Sequence, residues 1–220
     1  YVDPALDVSA IPDAVENVPL GLLRADVVLA CLDSRAARRT VNAAAWRLGV
    51  PWVDAGVLGE ELLARVNVYR PGPGEPCAEC AWDDATYAAL EQVYPCTGRV
   101  AARPTNAPSS LGALAAALQA LECRKVLAGQ WDVAAVGRQV TVSALAHRHY
   151  VTRFVANARC RFDHEILDVE RIDRHPAAIT LAGAFAFGRE LGGPLRLRVA
   201  QQVFARTLRC LACGQVKDLG

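Results

Sequence analysis

Cys77 and Cys80 close the stretch "RPGPGEPCAEC" (70–80), and Cys210 and Cys213 lie in "RCLACG" (209–214). Two C-x-x-C knuckles in one chain point first to metal, because a tight turn lets both sulfurs of a knuckle face one ion. Each knuckle supplies only half of a tetrahedral zinc site. A thioredoxin-type redox pair is the rival reading, but such a pair opens a helix in a βαβ setting, and Cys77 instead follows a Pro/Gly loop. Cys160 and His164, in "NARCRFDHE" (157–165), also have ligand spacing. The residues alone leave the partner of the first knuckle open.

Two other side chains have types and settings that suit chemistry. Cys96, in "YPCTGRVAARPTNAPSS", lies near Arg99 and Arg103 in a polar, Pro-rich segment. Neighbouring guanidinium charge favours the thiolate, which makes Cys96 a candidate nucleophile. Asp33 ends the apolar run "ADVVLACLDS" (25–34). Ligands of open α/β sheets bind at the carboxyl ends of strands, where an acid can hold Mg²⁺ or a nucleotide. From this feature alone, a plain acid interacting with the helix dipole at its N-terminus is the better account of Asp33. Cys31 and Cys123 sit in apolar strand and helix patterns and read as small core residues.

The elements that must carry these groups follow from pattern. "ADVVLACLDS" reads as a buried parallel strand. "SRAARRTVNAAAWRLG" (34–49) reads as a helix with Ser34 as N-cap, a stripe of Ala36, Val41, Ala44, Ala45 and Leu48, and Gly49 as its stop. "VPWVDAGV" (50–57) is the next strand, completing a strand–helix–strand unit. A strand is expected over 61–70, a short helix around 83–93, a Ser-capped apolar helix over 109–129, and two strands over 138–155. A helix apolar on all sides is buried or lies at a subunit interface. Residues 165–220 change character and read as a small α+β extension, giving units 1–164 and 165–220.

Composition narrows the class. The chain has 220 residues, 53% hydrophobic and 21% charged, with a net charge of +1. Such a balance suits a globular protein and gives no basic footprint for nucleic acid. No apolar run has the roughly eighteen residues of a membrane span, and no signal peptide is evident. Eight cysteines at irregular spacing fit reduced thiols in the cytoplasm. The chain starts at Tyr1 and contains no methionine, so elements are expected to be missing from its front.

The order of these pieces resembles the ThiF/MoeB-type adenylating enzymes, which activate ubiquitin-like and sulfur-carrier proteins. "ADVVLACLDSRAARRTVNAAAWRLGVPWVDAG" is similar to that family's strand, D-N-x-x-x-R segment, helix and next strand, with Ser34 in place of the usual Asn. "ELLARVNVYRPGPGEPCAEC" resembles the strand leading to its first zinc knuckle, "PSSLGALAAALQALECRKVLAG" the long helix after its crossover loop, and "GRQVTVSALAHRHYVTRFVANARC" the approach to the second zinc pair. The resemblance covers about residues 3–164. It implies a Rossmann-like parallel sheet with flanking helices, a structural Zn²⁺ site, ATP and Mg²⁺ as ligands, and adenylation of a carrier's C-terminal carboxylate. It gives Asp33 to Mg²⁺ and ATP, with Arg38 and Asn42 as polar positions beside it. Cys96 falls where several members carry a thioester cysteine. A homodimer is implied as well.

Two departures qualify the resemblance. No G-x-G-x-x-G occurs in the chain, so the backbone N–H cradle for phosphate is absent from this stretch, and adenylation is expected of the parent polypeptide. A non-catalytic scaffold that kept the fold, the zinc and a carrier-docking surface is the alternative. Where the family has its second C-x-x-C, this chain has Cys160, Asp163 and His164. The family register favours a Cys₃His site of Cys77, Cys80, Cys160 and His164 over one closed by Cys210 and Cys213.

Overall fold

The computed structural model describes residues 3–91, 107–169, 178–190, 192, 207–209 and 213–218. The chain divides into two units, Tyr1–Val169 and Glu170–Gly220. The expected catalytic Cys96 and the knuckle residue Cys210 both lie outside the described residues.

The first unit is built on a sheet of five strands in the order β1-β2-β3-β4-β5. Strand β1 (Val28–Ala30) leads into helix α1 (Arg35–Leu48), and β2 (Trp52–Leu58) returns parallel to β1. Ser34 caps α1 as expected, its Oγ accepting from the Ala37 N–H at 3.0 Å. Gly49 ends the helix at φ 66°, a left-handed conformation that suits a residue without Cβ. The α/β class is therefore present, but parallel pairing among the described strands is confined to β1 and β2. Only residues 59–62 join β2 to β3 (Leu63–Tyr69), too short a link for a crossover, so the two pair antiparallel. Strands β4 (Arg138–Ser143) and β5 (Arg148–Arg153) continue the sheet antiparallel.

Strand alternation splits the sheet into two faces. Val53, Ala55, Ala64, Val66 and Val68 pack against Leu111, Ala115 and Val126 of α3 (Ser109–Leu127). On the opposite face Trp52 stacks on Tyr69 at 4.5 Å between ring centroids, with Val41 and Ala45 of α1 in the same cluster. Burial on both faces explains why β2 begins as a nearly continuous apolar run.

Helix α3 corrects two details of the sequence reading. Its N-cap is Pro108, with no side-chain cap bond, so Ser109 is not a cap. Its buried stripe is Leu111, Ala115, Gln119, Glu122 and Val126, while Leu121 and Leu127 stay exposed on the outer side. Two polar residues in the buried stripe are satisfied. Gln119 Nε2 donates to the carbonyls of Ala30 at 3.1 Å and Val53 at 2.8 Å, and Glu122 Oε2 accepts from the Ala135 N–H at 2.7 Å. Cys31, expected in the core, is exposed, and its Sγ donates to Gln119 Oε1 at 3.3 Å.

In the second unit, helix α4 (Leu181–Glu190) precedes an antiparallel pair, β6 (Thr207–Arg209) and β7 (Val216–Asp218). Among the described residues no helix is long and apolar enough to cross a membrane.

Candidate functional site

The Pro/Gly loop after β3 delivers Cys77 into a 3-10 turn, Ala78–Ala81, that carries Cys80. The backbone after β5 brings Cys160 and His164 to the same place. The ligand atoms of Cys77, Cys80, Cys160 and His164 all lie within 4.8 Å of one another. Cys77 Sγ is 3.7 Å from Cys160 Sγ and 3.8 Å from Cys80 Sγ, and Cys80 Sγ is 3.2 Å from His164 Nε2. Four ligands at ordinary Zn–S and Zn–N lengths on a tetrahedron would be spaced about 3.5–3.8 Å apart. The donor set therefore fits Zn²⁺ in both chemistry and size. Cys213 is exposed in the second unit.

The surroundings hold the four groups in place. His164 adopts φ 57°, which turns its backbone sharply after Asp163. Asp163 is gripped by Arg47 of α1 through a two-pronged bond, Nη1 to Oδ1 at 2.6 Å and Nη2 to Oδ2 at 2.7 Å. Arg47 holds the Asp163 carboxyl down at about 2. The His164 ring stands edge-on to Trp46, 4.8 Å between centroids. Contact with Cys77 is the chief reason the Cys80 thiol is held low, at about 4, and N–H groups of Asn157 and Cys77 directed at its sulfur lower it further. Cys77 is pushed up by its contact with Cys80 and by burial, so the two thiols titrate as a coupled pair.

Glu79, between the two knuckle cysteines, is buried and fully engaged. Tyr87 Oη donates to its Oε2 at 2.9 Å, Asn42 Nδ2 donates to its Oε1 at 3.3 Å, and Arg39 pairs with it at 3.5 Å. Asn42 Oδ1 in turn accepts from the Ala78 N–H at 3.1 Å. Asn42 has no exposed surface, and both ends of its amide are engaged in holding the knuckle to α1. Burial and the bond to Glu79 push the Tyr87 hydroxyl pKa upward.

Asp33 and Arg38 do share that strand end. Asp33 is exposed, between the end of β1 and the Ser34 cap. Arg38 donates from Nε to Asp54 Oδ1 at 2.7 Å and from Nη2 to the carbonyls of Leu32 at 2.5 Å and Ala55 at 3.1 Å. A second cation, Arg65 of β3, approaches the other oxygen of Asp54 at 3.2 Å. The Asn67 amide presents its oxygen to Arg65 Nη1 at 2.6 Å, with its nitrogen donating to Gln139 Oε1 at 3.2 Å. Asp54 and Arg65 are not among the residues the sequence singles out. A signal for Asp54 does exist in it: a carboxylate in the middle of "VPWVDAGV" must be paired if the strand is buried.

The profile of the ThiF family matches residues 2–162. The chain belongs to the ThiF family. A curated relative, the sulfur carrier protein ThiS adenylyltransferase of Escherichia coli (strain K12), is 31% identical over 85 residues. That alignment covers 38% of this ThiF-family chain and 33% of the relative. Among solved structures, E. coli MccB with succinimide matches at a TM-score of 0.50 and 17% identity, over 70% of this chain and 43% of that one. The microcin biosynthetic enzyme MccB in complex with N-formylated MccA matches at 0.50 and 17%, over 69% and 44%. At that identity the structures speak for the fold alone. The chain spans a third of the ThiS adenylyltransferase and less than half of MccB.

Proposed function

We propose that this ThiF-family chain belongs to an enzyme that adenylates the C-terminal carboxylate of a ubiquitin-like or sulfur-carrier protein. The observation that carries the reading is the carboxyl end of β1, where Arg38 grips the Leu32 carbonyl and so fixes the turn that presents Asp33. In the reaction a carboxylate oxygen of the carrier attacks the α-phosphorus of ATP. An acyl–phosphate bond forms, the bond to the bridging oxygen breaks, and pyrophosphate leaves. Mg²⁺, when bound, offsets the charge that builds on the phosphates. Asp33 is the residue that would hold it. Arg38 acts as a positioning residue, since its guanidinium is committed to Asp54 and two carbonyls.

Cys77, Cys80, Cys160 and His164 would hold a structural Zn²⁺, which clamps the knuckle and the segment after β5 onto α1. Cys96 is the proposed acceptor for a later thioester, and a homodimer is the proposed assembly, supported by the exposed Leu121 and Leu127 on α3. The test is exchange of labelled pyrophosphate into ATP by the full-length protein. Exchange is expected only when the carrier is present, and its absence with every candidate carrier overturns the reading.

A further inference from the structure

We propose that Arg65 is an oxyanion-binding residue for the substrates of this reaction. The ligand is a carboxylate or a phosphate oxygen, and naming it rests on the adenylation reading above. Three observations lead there.

The first is a change of character along one face of the sheet. Near α1 this face is aromatic, with Trp52 stacked on Tyr69. Further along it becomes polar across four strands. Register places Asp54, Asn67, Gln139 and Thr152 in one row and Gly56, Arg65, Thr141 and Tyr150 in the next. Neither row contains a purely aliphatic side chain, so the surface suits a polar ligand better than an apolar helix. Tyr150 at its margin is exposed.

The second observation is a charge imbalance. Arg38 and Arg65 both pair with the single carboxylate of Asp54, whose side chain is only 3% exposed. One positive charge of the trio is left without a counter-charge, and it lies on the more open side, where Arg65 is 35% exposed. Asp33 is the acid nearest to Arg38 along the chain, but among the described residues the ion pairs of both arginines are to Asp54 alone.

The third is the pose of the guanidinium. Its Nη1 is anchored by Asp54 and Asn67. Its Nε and Nη2 have no acceptor among the described residues. The group lies flat across Gly56, and a Cβ there would stand 3.1 Å from both Nε and Nη2. Glycine thus leaves the room in which the arginine rests. A guanidinium fixed on one side, with a neighbouring pair of N–H donors free on the other, is organised for two-pronged recognition of an oxyanion.

The experiment uses the full-length protein, wild type and the variants Arg65→Ala, Arg65→Gln and Arg65→Lys, each first checked for an unchanged circular dichroism spectrum and melting profile. The probes are a peptide with a free C-terminal carboxylate, the same peptide as its C-terminal amide, AMP and adenosine, titrated by calorimetry. Losing a charge-assisted pair of hydrogen bonds is expected to weaken the oxyanion probe roughly tenfold or more in Arg65→Ala and Arg65→Gln. Arg65→Lys should recover only part, because an ammonium lacks the fork. A loss confined to the free-acid peptide identifies the substrate's carboxylate, and one confined to AMP identifies the nucleotide's phosphate. The proposal is overturned if wild type binds neither charged probe, or if the Arg65 variants bind both as wild type does. Pyrophosphate exchange by the full-length protein separates the two readings. Exchange with an unchanged KM for carrier and ATP in Arg65→Ala removes the oxyanion site and leaves adenylation standing, whereas no exchange by wild type removes adenylation itself.

Discussion

Replacing Asn42 by alanine should damage the metal centre and leave nucleotide handling largely alone. Two bonds are lost. The Ala78 N–H, now donating to Asn42 Oδ1, would be stranded in a buried position, and Glu79 would lose the donor at its Oε1 while keeping Tyr87 and Arg39. A stranded buried donor costs about 1–3 kcal/mol, and the lost bond to a charged acceptor about as much again at its lower end, so the total is about 2–4 kcal/mol. Asn42→Asp sharpens the test. It keeps an acceptor for the Ala78 N–H but sets a second carboxylate against Glu79, and should be at least as harmful. Urea unfolding of the zinc-loaded protein gives the first number, and zinc release to a chromogenic chelator gives the second. A faster release with a lower midpoint is expected in both variants. If Asn42→Ala unfolds within about 0.5 kcal/mol of wild type, a threshold set by the spread of ordinary surface substitutions, and its KM for ATP rises instead, Asn42 serves the nucleotide and the structural argument fails.

Two further outcomes follow from the same centre. Cys160→Ser should lower zinc content and affinity, measured by mass spectrometry of the native protein, while Cys213→Ser leaves both unchanged; the reverse pattern would move the site to the terminal knuckle. Arg47→Ala should weaken the protein by about 1 kcal/mol or less, because Asp163 is more than half exposed and the pair is screened. The Asp163 carboxyl is lowered to about 2 in the fold, so its contribution is present above the ordinary carboxylate range and is lost as pH falls toward 2. The stability gap between wild type and Arg47→Ala in metal-free protein should therefore narrow between about pH 4 and 2, and a gap that widens on acidification would contradict the pairing.

Local signals make much of the first unit legible in the amino-acid sequence. Ser34, Gly49 and the stripe between them mark α1 because a cap, a left-handed stop and helical periodicity act within a few residues. Cys77 and Cys80 announce half a site for the same reason, and the order of motifs points to Cys160 and His164. What stays hidden depends on distance. Asn42 sits among polar helix positions in the sequence, and only the fold sets it against Ala78 and Glu79. Uniform apolarity in α3 conceals which side faces the sheet, and Gln119 and Glu122, the polar residues on the buried side, mark it. The short link at 59–62 already requires an antiparallel β2–β3 pair, against the parallel sheet expected from the strand–helix–strand unit. Arg65 is one ordinary arginine in a strand until the fold sets Arg38 on the same acid.

The spacing of the four ligands along the chain has a consequence for folding. Joining Cys77 and Cys80 to Cys160 and His164 through one ion would close a covalent-like ring around α2 (Asp84–Glu91), α3, β4 and β5. A cross-link over a ring of this size removes on the order of 4–5 kcal/mol of chain entropy from the unfolded state, with any metal affinity of the unfolded chain reducing the gain. The ion would then act as a clasp on the unfolded ensemble as well as a pin in the folded one. Residues 92–106 lie inside that ring, so a chain cut there would keep its two pieces tied through the metal.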